Sequence, residues 1–330
     1  MQIALQAGVA LLIFGFLVIT VAQQWGELQD KGVRFDFIWL LPAFGVLLVF
    51  YVLSGIGWDL LLRLLGNRLD PMRAQVAWGQ PLLARYVPGS VLYVLARLLL
   101  SERAGVTRRL TLASIVYEQA LSAAAATGVA SYFIIDHPDL QGHAWRWLVL
   151  LVVPVAIAVL HPRVFGPLAN RLLRAFGRDP LPATIPLWGI LAMLVYYAMT
   201  WAVAGVGVFF VARAVHAIPV SELAAVGSAQ AFGYVAALVT LVAPAGLGIR
   251  DAAFAWAVKA ALPSHSFAVG AVIAIAVRAV LTITELIYVG AITLLGRHEG
   301  LSKRGSHLVE EAVEEMRAEA TAVAPRPGSG

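Results

Sequence analysis

The stretch from Leu241 to Asp251 reads LVAPAGLGIRD and decides the fold of this chain. It interrupts an apolar segment with one proline and two glycines, and it ends in two adjacent opposite charges. The residues concerned are Pro244, Gly246, Gly248, Arg250 and Asp251. Proline removes a backbone donor and glycine loosens the helix, so the exposed amides need partners that hydrocarbon does not supply. At membrane depth, such a break must lie inside protein or beside water.

A helix that restarts after Gly248 places its free N–H groups and the positive end of its dipole at this break. Arg250 and Asp251 then lie in or near its first turn. This arrangement predicts a site for an anion. The alternative is an ordinary turn outside the membrane followed by an amphipathic helix, because loops of this composition are common.

The composition indicates a membrane protein. Of the 330 residues, 60% are hydrophobic and 13% are charged, and the mean hydropathy is +0.82. A soluble core of this length cannot bury so much apolar surface, so we predict an all-α, polytopic helical membrane protein. The formal net charge of +5 informs orientation, because the basic residues gather in short loops. The lack of cysteine excludes disulfides, thiolate metal sites and cysteine nucleophiles.

Hydropathy predicts about six full spans. They cover about residues 3–22, 37–62, 110–135, 144–160, 185–212 and 267–296. The first has no Lys or Arg before it and is longer than a signal-peptide core, so we interpret it as an uncleaved span rather than a signal peptide. After the fourth span, a basic amphipathic helix on the inner surface is predicted at about 163–178, the alternative being a solvated connector.

A first broken segment lies within residues 76–100, where an apolar run is interrupted by RYVPGS. This interruption consists of Arg85, Tyr86, Val87, Pro88, Gly89 and Ser90. Ser90 is a candidate cap for a helix that begins at Val91. Arg85 and Arg97 flank the break, so a phosphate there can meet backbone amides and guanidinium groups together. The alternative is a lone Pro-Gly turn whose arginines reach the membrane interface.

The distribution of basic residues predicts the orientation. Basic clusters flank the first broken segment on both sides, which is typical of a re-entrant hairpin that enters from the cytoplasm. The loop from Asp136 to His143 has two aspartates and no Lys or Arg, so we place it outside. Both termini are then cytoplasmic.

The order of segments repeats along the membrane domain, residues 1–296. Each half reads span, span, broken segment, span, with half one at about 1–135 and half two at about 144–296. Three crossings per half invert the second copy, which predicts an inverted repeat of the kind that builds a transporter site at the midplane. If residues 223–242 and 251–262 each cross fully, the last span keeps its direction, so this alternative stays open. Residues 297–330 form a charged cytoplasmic tail that we expect to be partly disordered.

Ionisable residues also fall inside predicted spans, Glu118 in the third and Arg278 and Glu285 in the last. Such residues are costly at membrane depth and mark transport pathways. Arg278 and Glu285 are two helical turns apart on one face, and we expect them to pair through water or with Glu118. We predict that Glu118 and Arg278 belong to one polar network. The alternative is purely structural pairing, or a side chain that extends to the interface.

Enzymatic signatures are missing from the sequence. It has no GxxxxGK[ST] loop and no HExxH motif, and its seven histidines lie mostly in loops without ligand spacing. The run from Gly246 to Gly248 is only a fragment of a dinucleotide fingerprint. We therefore predict no enzymatic activity, no catalytic residue, no metal, no cofactor and no nucleic-acid partner.

The chain resembles the membrane region of the lysylphosphatidylglycerol synthase family, which also occurs as stand-alone flippase-like proteins often associated with glycosyltransferases. The resemblance covers most of residues 1–296. It rests on Arg85 to Gly89, Arg97 with Gly105 and Val106, Glu118, Pro244 to Asp251, and Arg278 with Glu285. Asp251 stands where such families commonly have glutamate, which keeps the charge but shortens its reach. Full synthases continue into a soluble aminoacyl-transfer domain, whereas a short tail follows Gly296 here, so we do not expect aminoacylation.

The resemblance and the paired broken segments together imply a flippase-like protein of the cell inner membrane. It would translocate an anionic phospholipid or a polyprenyl-phosphate-linked sugar, whose head group passes the arginines while the acyl chains stay in lipid. The predicted substrate-binding residues are Arg85, Tyr86, Pro88, Gly89, Ser90, Arg97, Glu118, Pro244, Gly246, Gly248, Arg250, Asp251, Arg278 and Glu285. The second hypothesis is a non-transporting membrane scaffold that binds anionic lipid and recruits a glycosyltransferase.

Overall fold

A computed structural model describes residues 33–86, 91–136, 142–175, 180, 183–239, 249–262 and 266–298. This part of the chain consists of α-helices, 3-10 segments and short connections without a strand, which confirms the all-α fold. The predicted first span, and the predicted tail beyond His298, lie outside the described residues.

The described residues form ten α-helices, numbered in chain order. They are α1 (Leu40–Leu64), α2 (Pro71–Gly79), α3 (Val91–Arg103), α4 (Arg108–Asp136), α5 (Val152–Leu160), α6 (Pro162–Ala175), α7 (Leu187–Val215), α8 (Leu223–Val239), α9 (Ile249–Val258) and α10 (Phe267–His298). The 3-10 segments are Phe37–Trp39, Gln80–Tyr86, Ala144–Leu151, Val220–Glu222 and Lys259–Ala261.

Three helical segments are long and apolar enough to cross a membrane, namely Phe37–Leu64, Leu187–Val215 and Phe267–Gly296. They correspond to the spans predicted at 37–62, 185–212 and 267–296. A fourth is added only if Arg146–Leu160 and Pro162–Arg171, which meet at an angle of 64°, form one span. These apolar helices indicate a multi-pass membrane protein, but the described residues do not confirm six full spans.

Two of the predicted spans differ from simple crossings for physical reasons. Helix α4 is long enough to cross, but Glu118, Gln119 and a run of alanines make it less apolar than the three segments above. After α5, His161 leaves the helical conformation with ψ 134°. Pro162 then begins α6, as proline suits the first position of a helix. The chain therefore turns sharply into α6, close to where the sequence predicts a separate basic helix.

Both predicted broken segments have arms on either side of a break. In the first, α2 and the 3-10 segment Gln80–Tyr86 precede the break, and α3 begins at Val91 as predicted. In the second, α8 precedes the break and α9 begins at Ile249, directly after Gly248. The two arms of each segment pack against one another, so each segment folds back on itself.

Glycines allow the backbones of neighbouring helices to approach closely in the second half. A Cβ atom on Gly205 of α7 would lie 2.8 Å from the Cα atom of Gly227 in α8. A Cβ atom on Gly233 of α8 would lie 2.8 Å from the carbonyl oxygen of Arg250 in α9. Since real Cβ contacts are not this short, larger residues at either position would force the helices apart. The second broken segment is therefore packed at backbone distance against the bundle.

The packing of the helices repeats between the two halves. Helix α1 packs on α2 as α7 packs on α8, and α3 packs on α4 as α9 packs on α10. The contacts between the two halves also involve corresponding helices. Helix α4 packs on α8 and α7, and its counterpart α10 packs on α2 and α1. The interior of the bundle is thus built from elements that both halves supply in equivalent roles.

Candidate functional site

An ion pair between Arg97 and Glu118 lies at the centre of the bundle. Arg97 is on α3, after the first break, and Glu118 is on α4. The Arg97 side chain is 0% exposed and the Glu118 side chain 7% exposed. Because an isolated charge at this depth is strongly unfavourable, each side chain holds the other in place. The pair therefore attaches the second arm of the first broken segment to α4.

Three aromatic residues complete the surroundings of this ion pair. The indole N–H of Trp78 donates to Oε1 of Glu118 at 2.7 Å, and Nη1 of Arg97 donates to the Tyr93 hydroxyl at 2.9 Å. The Arg97 guanidinium lies 5.0 Å from the ring centroid of Trp58, within the range of a cation–π interaction. The charges are thus enclosed by α1, α2, α3 and α4 at once.

A second ion pair joins Asp251 of α9 to Arg278 of α10. Its side chains are 30% and 34% exposed, respectively, in contrast to the enclosed pair in the first half. In a partly exposed pair, solvent screens the attraction between the charges, so separating them costs less free energy. The second pair is therefore the more accessible of the two.

The two ion pairs occupy equivalent positions with opposite polarity. In each half, the pair connects the helix after the break to the span that follows, α3 to α4 and α9 to α10. In the first half the broken segment supplies the cation, Arg97, and in the second half it supplies the anion, Asp251. The similarity of packing between the halves therefore extends to the positions of the ion pairs.

Tyr234 connects the regions around the two breaks. The hydroxyl of this α8 residue is hydrogen-bonded to Ser122 of α4, one turn after Glu118, and its neighbour Gly233 lies against the backbone of Arg250 in α9. The ring of Trp201 lies 4.7 Å from that of Tyr234, and its indole N–H donates to Ser122. The face of α4 that carries Glu118, the partner of Arg97 in the first broken segment, therefore also contacts the second broken segment.

Glu285 lies in a separate polar group. The Tyr51 hydroxyl donates to Oε2 of Glu285 at 3.0 Å, joining α1 to α10. The ring of Tyr51 stacks on that of Tyr288 at 5.5 Å, and the Tyr288 hydroxyl donates to Gln75 of α2. Trp78, which binds Glu118, makes an edge contact with Tyr288 at 6.1 Å. Among the described residues, a series of aromatic rings thus links Glu285 to the central ion pair.

The direct partner of Arg278 is Asp251 and not the predicted Glu118, whereas the pairing of Arg278 with Glu285 through water stays a prediction. Arg278 binds Asp251, Glu285 accepts from Tyr51, and Glu118 binds Arg97. Two turns along one helix bring Arg278 and Glu285 to one face, but the second broken segment lies against that helix and supplies a nearer carboxylate. The direct contacts of these four charges form two ion pairs, Arg97 with Glu118 and Arg278 with Asp251.

The family model for the lysylphosphatidylglycerol synthase TM region matches residues 3–288. The chain belongs to this family. The match confirms the resemblance and includes both broken segments, both ion pairs and Glu285. Among individually curated proteins, none matches the chain. Membership of the lysylphosphatidylglycerol synthase TM family places the protein among membrane proteins of lipid-related processes.

The structure locates part of the site that the family motifs predict. Arg85 and Tyr86 end the 3-10 segment before the first break, and Arg250 and Asp251 lie in the first turn of α9. Six further predicted site residues lie outside the described residues, namely Pro88, Gly89, Ser90, Pro244, Gly246 and Gly248. In the described part of the chain, no group of three or more His, Asp or Glu side chains is placed to hold a metal ion.

Sequence reasoning missed the aromatic residues of the site. Tyr93 lies four residues before Arg97 on the same helix face, and this spacing was available in the sequence. Trp78 and Trp58 contact the central ion pair from α2 and α1, and Tyr234 binds the same face of α4 one turn away. Only the tertiary arrangement brings these three together, since apolar helices of a membrane protein carry many aromatic residues in unrelated positions.

Proposed function

We propose that this protein translocates an anionic phospholipid or a polyprenyl-phosphate-linked sugar across a cell membrane, without covalent chemistry. The observation that carries the proposal is that both broken segments bind the same face of α4: Arg97 of the first pairs with Glu118, and Tyr234 of the second is hydrogen-bonded to Ser122, one turn further on. Discontinuous helices that meet inside a bundle are the usual way in which transporters form a substrate site in the membrane. The membership of a lipid-related membrane family supports the same assignment.

The repeated packing supports an inverted repeat as the framework of this transporter. In our proposal, the first broken segment enters from the cytoplasm and the second from outside, and both termini are cytoplasmic. Alternating exposure of the site then follows from a change in how one half packs on the other. The equivalent contacts of α4 with α8 and of α10 with α2 are the surfaces along which this change would occur.

The preference for an anion comes from the second broken segment. Arg250 lies in the first turn of α9, where the free backbone N–H groups and the helix dipole favour negative charge. Asp251 holds Arg278 in a pair that is about one-third exposed. A lipid phosphate that approaches this pair competes with the Asp251 carboxylate for the Arg278 guanidinium. The interior therefore binds a phosphate by exchanging one anion for another, and the charge balance is restored when the phosphate leaves.

The scaffold hypothesis remains the alternative, and reconstitution separates the two. The full chain is placed in liposomes that contain an anionic phospholipid with a fluorescent head-group label, with and without an imposed proton gradient. A membrane-impermeant reductant then quenches the label of the outer leaflet. Translocation brings inner-leaflet label to the outside, so quenching proceeds beyond the fraction seen in protein-free liposomes. Quenching that matches protein-free liposomes under both conditions, with lipid binding retained, would favour the scaffold.

A further inference from the structure

We infer that α6 docks on the membrane surface, binds the head groups of anionic phospholipids there and gathers these lipids next to α4. This docking surface is separate from the polar interior of the bundle. A transporter and a scaffold would bind these lipids alike, so the docking surface is independent of the proposed function. It is defined by how α6 is attached to the bundle, by what its free side presents and by where the helix lies.

One side of α6 attaches the helix to the bundle. Phe165 is buried, and its ring centroid lies 4.3 Å from that of the buried Tyr117 in α4. A Cβ atom on the next residue, Gly166, would lie 3.1 Å from the methyl carbon of Thr184, so the backbone of α6 is also close to the segment before α7. Because Tyr117 directly precedes Glu118, α6 is held against the helix that both broken segments bind.

The free side of α6 is exposed and amphipathic. Val164 and Leu168 are one turn apart, and they are 48% and 59% exposed. Three arginines are exposed as well, namely Arg163, Arg171 and Arg174, and helical spacing places them beside the two apolar residues. Apolar residues next to arginines on one side of a helix are typical of helices that lie in a membrane interface.

The charge and the apolar pair together select the partner. The sequence of α6 has three arginines and neither aspartate nor glutamate, so no acidic residue of its own neutralises them. A basic residue near an anionic membrane surface contributes about 1 kcal/mol of attraction. A soluble acidic partner would leave Val164 and Leu168 in water, whereas acyl chains beneath the head groups cover them. The partner that fits both features is a layer of anionic phospholipid.

The position of α6 also suits a membrane surface. Its 14 residues extend about 21 Å, less than the roughly 30 Å of a hydrocarbon core, and the chain turns by 64° before them. The end of α1 lies at the same end of the bundle, since a Cβ atom on Gly189 at the start of α7 would lie 3.1 Å from Leu64. Arg63 and Arg68 add positive charge there. An end rich in arginine is typical of the membrane side that carries basic loops.

The test compares how well lipids of different charge quench a fluorophore on α6. Leu168→Cys carries the fluorophore, and the labelling is specific because the chain has no native cysteine. The full chain is reconstituted in one mixture of phosphatidylglycerol and phosphatidylcholine, with the quencher on an acyl chain of either lipid. An attraction of about 1 kcal/mol corresponds to roughly fivefold enrichment, so phosphatidylglycerol should quench about fivefold more efficiently. Val195→Cys, exposed on the apolar α7, is the matched control and should be quenched equally by both.

Charge variants assign the preference to α6. Arg171→Gln combined with Arg174→Gln should bring the preference at Leu168→Cys close to that of the Val195→Cys control. Arg68→Gln, at the same end of the bundle but outside α6, should leave the preference at about fivefold.

Three results would overturn the inference. They are equal quenching by the two lipids at Leu168→Cys, an equal loss of preference in Arg68→Gln and in the double variant, and stronger quenching by iodide in the water than by either lipid. The last result would indicate a solvated helix that is open to a soluble acidic partner. A preference for phosphatidylglycerol in liposomes that show no translocation supports the docking surface and counts against transport alone.

Discussion

The difference in exposure between the two ion pairs predicts very different effects of removing one carboxylate from each. Glu118→Gln leaves the Arg97 guanidinium charged at 0% exposure, whereas Asp251→Asn leaves an arginine that is 34% exposed. Breaking a buried pair typically costs about 3–5 kcal/mol. Breaking a partly exposed pair costs roughly 1 kcal/mol or less, because the remaining charge is screened. We therefore expect Glu118→Gln to be the far more destabilising change.

Thermal unfolding in detergent measures this difference. The nine tryptophans of the chain provide an intrinsic signal, and at about 2–4 °C per kcal/mol the expected drop in apparent Tm is roughly 10 °C for Glu118→Gln. For Asp251→Asn the expected drop is about 3 °C or less. Glu102→Gln, in the exposed pair with Arg108, is the control and should change the Tm by no more than Asp251→Asn does.

A double substitution checks the cause. Arg97→Met combined with Glu118→Leu removes both charges, and replacing a whole buried pair by apolar residues is often close to neutral. The double variant should therefore be more stable than Glu118→Gln alone. Equal Tm losses for Glu118→Gln and Asp251→Asn, or a double variant less stable than either single one, would refute the reasoning from burial.

Three further predictions follow from the topology, the packing and the exchange of anions. An impermeant maleimide should label Gly142→Cys in intact cells, and the wild-type chain gives no signal because it has no cysteine. Labelling that occurs only after lysis would contradict the orientation. Gly205→Val should destabilise by about 1–3 kcal/mol in thermal unfolding, whereas Gly45→Val, with open space around it, should change little. Asp251→Asn should raise the affinity for anionic lipid in a vesicle-binding assay, because the competing carboxylate is lost; unchanged affinity argues against exchange.

The sequence predicted the helical elements well because their signals are local. Proline, glycine and the return of apolar periodicity placed the starts of α3 at Val91 and of α9 at Ile249. These helix ends do not depend on contacts with other helices, since proline and glycine act on their own backbone. The spans at residues 37–62, 185–212 and 267–296 were equally clear from hydropathy.

The pairing of the interior charges could not be obtained in the same way. Helical periodicity places Arg278 and Glu285 on one face, but it does not say which helix lies against that face. The carboxylate that binds Arg278 belongs to α9, and the partner of Glu118 belongs to α3. Both partners are set by how the broken segments fold back, which depends on long-range packing. The sequence did not predict the aromatic residues around Glu118 for the same reason.

The most direct test of the account is the initial rate at which Arg250 variants translocate a labelled anionic phospholipid in liposomes. Charged hydrogen bonds contribute about 1.5–3 kcal/mol, so Arg250→Gln should slow translocation by roughly 10–100-fold. Arg250→Lys should recover only part of the rate, because a point charge does not reproduce bidentate binding of phosphate. Arg34→Gln, at an exposed position, should keep the wild-type rate. A wild-type rate for Arg250→Gln, or equal transport of neutral and anionic lipids by the wild type, would contradict a phosphate-binding site between the broken segments.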